Sequence, residues 1–162
     1  MILAGVLDKF PALKIMLAHS GGALPALSSR LASCIDHDPV VASRLKHNAR
    51  YYLGQLYFDA VAYGSEELGF VSSTIGRSSA YADPSVSTSE ISSLESEGKL
   101  RVLGSSRMLF GTDHPFFPPL KGTGEWKSVT ENLGAINGVA GWGDKEKEAI
   151  RGGNALRIFN LV

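Results

Sequence analysis

Two apolar runs in this 162-residue chain stop on ionisable residues: Ile15-Met16-Leu17-Ala18 runs into His19, and Met108-Leu109-Phe110-Gly111-Thr112 into Asp113. A buried strand that closes on histidine or aspartate delivers a titratable side chain to the rim of a sheet, where α/β enzymes keep their chemistry. An imidazole can take or give a proton near neutral pH, and a carboxyl group can serve as a general acid or base. Each tip then enters special backbone, Ser20-Gly21-Gly22 after the histidine and His114-Pro115 after the aspartate. Gly21 and Gly22 stand just before a predicted helix, whose unpaired N–H groups and dipole favour a carboxylate or phosphate. The same glycines serve equally well as a tight strand-to-helix turn.

Each of these residues has a plain structural alternative. His19 could be satisfied by a backbone carbonyl, and Asp113 could cap the segment that follows it. His114 points away from Asp113 if the backbone is extended, which suits a structural role, and His37 and His47 fall in a polar stretch that suits solvent. Asp59 either faces the site or bonds a loop. Phe116 and Phe117 form either an apolar pocket wall or ordinary core.

The elements that must position these groups alternate between strand and helix. Ile2 to Phe10 reads as a helix stopped by Pro11, and Leu13 to Ala18 as a buried strand. Leu24, Leu27, Leu31, Cys34 and Ile35 recur at helical spacing behind Gly22, with Pro25 in the first turn. After the polar stretch Asp36 to Arg50 come a strand, Gln55 to Ala60, and a helix from Ser65-Glu66 with Leu68 and Val71 inward. Ser72 to Ser93, with Asp83-Pro84 inside it, reads as a flexible surface loop, an insertion over 72–93. Ser87 and Glu90 have the spacing of a capping box for a short helix, and Arg107 to Gly111 is the third strand. Trp126, Val129, Leu133 and Ile136 form a helical stripe, Asp144 can cap the next helix, and Asn154 can cap the last, Ala155 to Leu161. Strand–helix alternation predicts a parallel sheet in one α/β domain.

Composition excludes several functions. Lys plus Arg and Asp plus Glu number 16 each, so no net field draws the chain to nucleic acid or to an anionic membrane surface. Small molecules are the expected partners. The single cysteine, Cys34, forbids an intrachain disulfide and fits a reducing compartment, where it packs as a small apolar residue. Neither a membrane-length apolar run nor a secretory leader is present, so a cytoplasmic protein is expected.

Five ordered blocks resemble a known family: Gly5 to Ile15, Ala18-His19-Ser20-Gly21-Gly22-Ala23-Leu24-Pro25, Tyr57-Phe58-Asp59, Leu109 to Phe116, and Gly153 to Phe159. Together they are similar to the carboxy-terminal part of metal-dependent decarboxylases of the amidohydrolase-related family, nearest to the aminocarboxymuconate-semialdehyde decarboxylases. The resemblance implies a (β/α)8 barrel, of which this chain holds the sixth, seventh and eighth strands with their helices. A complete barrel takes about 250 residues, so the chain reads as a truncated gene model or fragment. The resemblance also implies one divalent metal, zinc ahead of manganese, bound by Asp113, with His19 beside the metal-bound water. It implies a small conjugated or aromatic carboxylic acid as substrate, with Phe116, Gly21 and Gly22 near it. Decarboxylation and hydrolysis share this ligand set. The family's other metal-binding histidines have no counterpart among His19, His37, His47 and His114, so the expectation is a chain that is metal-free and inactive alone. The competing reading is a half-barrel without catalysis, binding an anionic metabolite or forming a homodimer through open strand edges.

Overall fold

A computed structural model describes residues 1–82, 85–96, 98–119 and 124–161. Three short strands, β1 (Met16–Leu17), β2 (Tyr57–Asp59) and β3 (Met108–Leu109), form a parallel sheet in the order β1-β2-β3. All three lie inside the predicted runs. The backbone ladder continues past their ends, with Tyr57 N–H donating to Ile15 O (2.8 Å) and Phe58 N–H to Arg107 O (2.9 Å). β2 is central, and Phe58 is fully buried at the heart of a core that includes Leu56, Leu68, Ile75, Met108 and Ile136. Among the described residues β1 and β3 each pair on one side only, and Met16 is left 53% exposed.

The helices are α1 (Val6–Lys9), α2 (Leu24–Asp36), α3 (Pro39–Ala42), α4 (Ser65–Ala80), α5 (Thr88–Ser96), α6 (Lys99–Ser105), α7 (Lys127–Gly138), α8 (Asp144–Glu148) and α9 (Asn154–Phe159). Several depart from the sequence reading for identifiable reasons. The helix expected from Ile2 to Phe10 is broken at Gly5, whose left-handed φ of 65° separates a 3₁₀ turn from α1. On α2 the buried positions are Pro25, Ala32 and Ile35, whereas Leu27, Leu31 and Cys34 are exposed. That helix is apolar around more than half its circumference, and only the face carrying Ala32 and Ile35 meets the core. Asp38 caps α3 through Oδ1, which accepts from Val40 N–H and Val41 N–H.

The segment read as a loop from Ser72 to Ser93 is largely helical. α4 runs to Ala80 with Ser72, Thr74, Ile75, Gly76 and Ser78 buried, and α5 starts at Thr88. Asp83 and Pro84 lie outside the described residues. Small polar residues there are packing devices: a β-carbon on Gly76 would run into Leu100 O, and one on Gly104 into Ser72 O. α4 and α6 thus approach at backbone contact distance, and Ser72 Oγ donates to Arg101 O (2.6 Å). The capping box of α5 is present, with Glu90 N–H donating to Ser87 Oγ and Ser87 N–H to Glu90 Oε2.

Further along, the buried face of α7 is Ser128, Asn132, Ala135 and Ile136 rather than the stripe of Trp126, Val129 and Leu133. Ile136 alone belongs to both. α8 is capped from Gly143, whose N–H donates to Glu146 Oε2, and Asp144 is its first residue. Asn154 does not cap α9. Its buried Nδ2 donates to Ser105 O (2.9 Å) and Met108 O (2.7 Å), tying the last helix to the start of β3.

The helix crossing gives a direct test. Gly104→Ala should lower stability by about 1–3 kcal/mol, because the methyl group has backbone rather than a movable side chain in its way. Gly134→Ala, in α7 with open space at its β-carbon, should be neutral or stabilising by up to about 1 kcal/mol. Urea denaturation of the two variants should separate them in these opposite directions.

Candidate functional site

Parallel pairing of Leu17 with Phe58 and of Phe58 with Met108 sends the residues after all three strands to one edge of the sheet. His19, Asp59 and Asp113 therefore emerge on the carboxyl-terminal side. The turn after β1 is unusual: His19 (φ 53°) and Ser20 (φ 52°) both take left-handed backbone, which non-glycine residues avoid. Asp59 holds it. Its Oδ2 accepts from His19 N–H (3.1 Å), and its Oδ1 accepts from Ser20 N–H (2.8 Å) and Val61 N–H (3.2 Å). Its backbone carbonyl accepts from Ser20 Oγ (3.0 Å). Asp59 is thus a loop-organising residue.

With its backbone clamped, the exposed His19 imidazole makes no hydrogen bond among the described residues, so no carbonyl satisfies it. It lines an open cleft of about 430 Å³ with Gly22, Pro25, Ala62, Glu66 and Phe70. Gly21 is required sterically, since a β-carbon there would sit 2.7 Å from Phe58 Cε1. Gly22 combines φ 57° with ψ −127°, a conformation open to glycine alone. The amides offered to an anion in the sequence reading are already engaged: Gly21 N–H donates to Ala18 O (3.0 Å) and Gly22 N–H to His19 O (2.8 Å). What Gly22 contributes to the cleft is open space.

Asp113, also left-handed (φ 56°), is held from the loop after β2. Tyr63 donates its hydroxyl hydrogen to Asp113 Oδ2 at 2.7 Å. Partial desolvation of a residue still 37% exposed, and then the hydrogen bond to Asp113, push the Tyr63 hydroxyl up to about 12, which keeps it a donor near neutral pH. Tyr63 is aimed by Asn132 on α7, whose buried Oδ1 accepts from Ala62 N–H (3.2 Å) and Tyr63 N–H (3.1 Å). The Asp113 carboxylate caps no backbone N–H among the described residues. His114 packs its ring against Trp126 at 4.5 Å, consistent with a structural role. Phe116 and Phe117 are 63% and 62% exposed, which removes the core reading, and Phe117 meets Tyr63 edge-on.

The β2 loop is therefore the hub, gripping His19 through Asp59 and Asp113 through Tyr63. Asp113 does not line the His19 cleft. Tyr63 and Asn132 were missed from sequence. The signal available was a polar loop residue, Tyr63, four positions beyond the strand-ending Asp59 and directly before Gly64 and a helix.

The donors present offer little to a divalent metal. Among the described residues no three His, Cys, Asp or Glu side chains converge on one ion. One oxygen of Asp113 already accepts from Tyr63. Catalytic metal sites ordinarily use three protein ligands, so the described residues do not by themselves fit one.

Two measurements probe this loop network. Asp59→Ala should cost about 2–4 kcal/mol in denaturant unfolding, because three amide donors lose a charged acceptor. Tyr63 should titrate near 12 by ultraviolet absorbance, against an ordinary 10.0. Its folded pKa lies above its unfolded one, so its contribution to stability is complete below pH 10 and is lost as pH rises towards 12. Tyr63→Phe should remove that alkaline component.

Comparison with known proteins agrees with this architecture. A family model described as amidohydrolase matches residues 1–161. The chain is 26% identical over 162 residues to the 2-amino-3-carboxymuconate-6-semialdehyde decarboxylase of Dictyostelium discoideum, covering 99% of this chain and 35% of that protein. It superposes on the apo structure of IDCase from Metarhizium anisopliae with TM-score 0.70 and 34% identity, over 99% of this chain and 37% of that one. A dihydroxybenzoic acid decarboxylase from Polaromonas, solved with manganese and 2-nitroresorcinol, is similar in fold (TM-score 0.59, 20% identity, 99% of this chain and 37% of that one). The chain thus spans about a third of the length of these relatives, and its three parallel strands with their helices are part of a (β/α)8 barrel. With its model matched from residue 1 to residue 161, the chain belongs to the amidohydrolase family.

Proposed function

We propose that this chain supplies the carboxyl-terminal part of a decarboxylase site acting on a small conjugated or aromatic carboxylic acid. The observation that carries the reading is the shared strand edge of His19 and Asp113, in a chain whose relatives are named as decarboxylases. In such a reaction the bond from the substrate's carbon to its carboxyl group breaks and carbon dioxide leaves. The electron pair moves into the conjugated system, and a proton is returned to the carbon.

His19, fixed in backbone but with an unengaged ring, binds and orients the acid and exchanges a proton with it. Asp113 is the residue that passes to carbon a proton taken up from solvent. Tyr63 holds one of its oxygens and so sets the plane of the carboxyl group. Phe116, exposed three residues beyond Asp113, offers a ring face to a planar substrate. Gly22 contributes room beside His19, and Gly21 lets the turn lie against Phe58. Asp113 is also the residue the family resemblance offers to zinc or manganese, and the remaining ligands of such an ion would have to come from outside the described residues.

Asp113→Asn and His19→Ala should each lower carbon dioxide release from unsaturated or aromatic acids by about two orders of magnitude or more in the intact protein. Tyr63→Phe should lower it by less, since Asp113 keeps its chemistry and loses only its orientation. Full activity in either of the first two variants would overturn the assignment.

A further inference from the structure

The opposite edge of the sheet carries a second cavity that the reading above does not use. It has a volume of about 440 Å³, within the range of roughly 300–1,000 Å³ typical of small-molecule sites. Lys14 precedes β1, Tyr57 opens β2 and Arg107 immediately precedes β3, so the parallel register gathers them at the amino-terminal ends of the strands. Lys46, His47, Tyr51, Tyr52 and Gln55 complete the polar and aromatic lining.

The charge there is unbalanced. Three fixed cations, Lys14, Lys46 and Arg107, face one lining carboxylate, Asp8. Asp8 is already engaged, its Oδ1 and Oδ2 accepting from Tyr52 Oη (2.9 and 2.7 Å) and its Oδ2 also from Lys46 N–H (3.1 Å). No ion pair to Lys14, Lys46 or Arg107 occurs among the described residues. Arg107 lies over the Tyr57 ring at 4.8 Å, and its guanidinium makes no hydrogen bond or ion pair among the described residues, so its N–H donors remain for an anion. Lys14 Nζ donates to Ile158 O, and Lys46 Nζ makes only a long contact (3.4 Å) to Asp8 O, so both ammonium groups keep donors in hand. Three cations against one occupied carboxylate match a dianion better than a monoanion, and the tyrosine rings match a planar group.

We infer that this amino-terminal cavity is a binding site for a small aromatic phosphate, the phosphate on Lys14, Lys46 and Arg107 and the ring against Tyr51 and Tyr57. The inference is independent of the decarboxylase reading, because the two sites share no residue. Calorimetric titration with phenyl phosphate, inorganic phosphate and phenol tests it. Phenyl phosphate should bind saturably, more tightly than either half alone, and more weakly as salt rises. Lys46→Gln and Arg107→Gln should each weaken it by about tenfold or more, whereas His19→Ala should leave it unchanged. Absence of saturable binding, equal affinity for phenyl phosphate and inorganic phosphate, or loss of binding in His19→Ala would overturn the proposal. Arg107 also packs on Tyr57, so circular dichroism should accompany its variant. Lys46→Gln, which removes only the long contact to Asp8 O, decides the matter if Arg107→Gln unfolds.

Discussion

The Asp59 carboxylate is the interaction on which the candidate site depends. Two consecutive left-handed residues, His19 and Ser20, cost about 1–2 kcal/mol each in backbone strain, and a free loop would relax out of that conformation. Hydrogen bonds to a charged acceptor contribute about 1.5–3 kcal/mol apiece, so the two that Asp59 accepts from these residues are enough to offset the strain. The turn is thus stable only while β1 and β2 are paired. Sheet formation and placement of the His19 backbone become one event.

The rest of the molecule can be read as support for the β2 loop. α4 follows that loop directly, and its close crossing with α6 at Gly76 and Gly104 fixes its height over the sheet. α7 inserts Asn132 beneath Ala62 and Tyr63, giving two otherwise unpaired amides a buried acceptor, and its Nδ2 is satisfied in turn by Ser128 O (2.8 Å). A buried amide side chain left unpaired would cost about 1–3 kcal/mol, so Asn132 holds only this arrangement well. Asn154 does the equivalent for β3, bonding two carbonyls at the entry of the strand whose exit carries Asp113.

The strands, their order along the chain and the two polar tips were legible because buried apolar runs ending on polar residues are a local signal. The glycine turn after His19 was legible for the same reason, its residues being adjacent. What was not legible depends on contacts distant in sequence. Ser72 to Ala80 has the composition of a loop, yet its small residues exist to admit α6, which lies some thirty positions on. Asn132 reads as a polar surface position, and its burial follows from amides 69 and 70 residues away. Leu27 and Leu31 satisfy a helical stripe, but periodicity marks which face is apolar and not whether anything covers it. The sequence leaves two roles open for Asp59, and only the three-dimensional position of the His19 turn decides between them.

A net charge of zero over the whole chain conceals a division between the two edges of the sheet. The carboxyl-terminal edge gathers Asp59 and Asp113 with Glu66 and Glu67 near His19, while the amino-terminal edge gathers Lys14, Lys46 and Arg107 around an already bonded Asp8. Summed charge governs long-range steering, which salt screens within about 10 Å, but binding is decided inside that distance. The sequence total therefore bears on long-range attraction and leaves local anion recognition untouched. In a parallel sheet the strand entries and exits face opposite ways, so a cation placed before one strand and a carboxylate placed after another are separated by the strand lengths themselves. This topology keeps His19 and Asp113 at one rim and a basic cavity at the other without neutralising either.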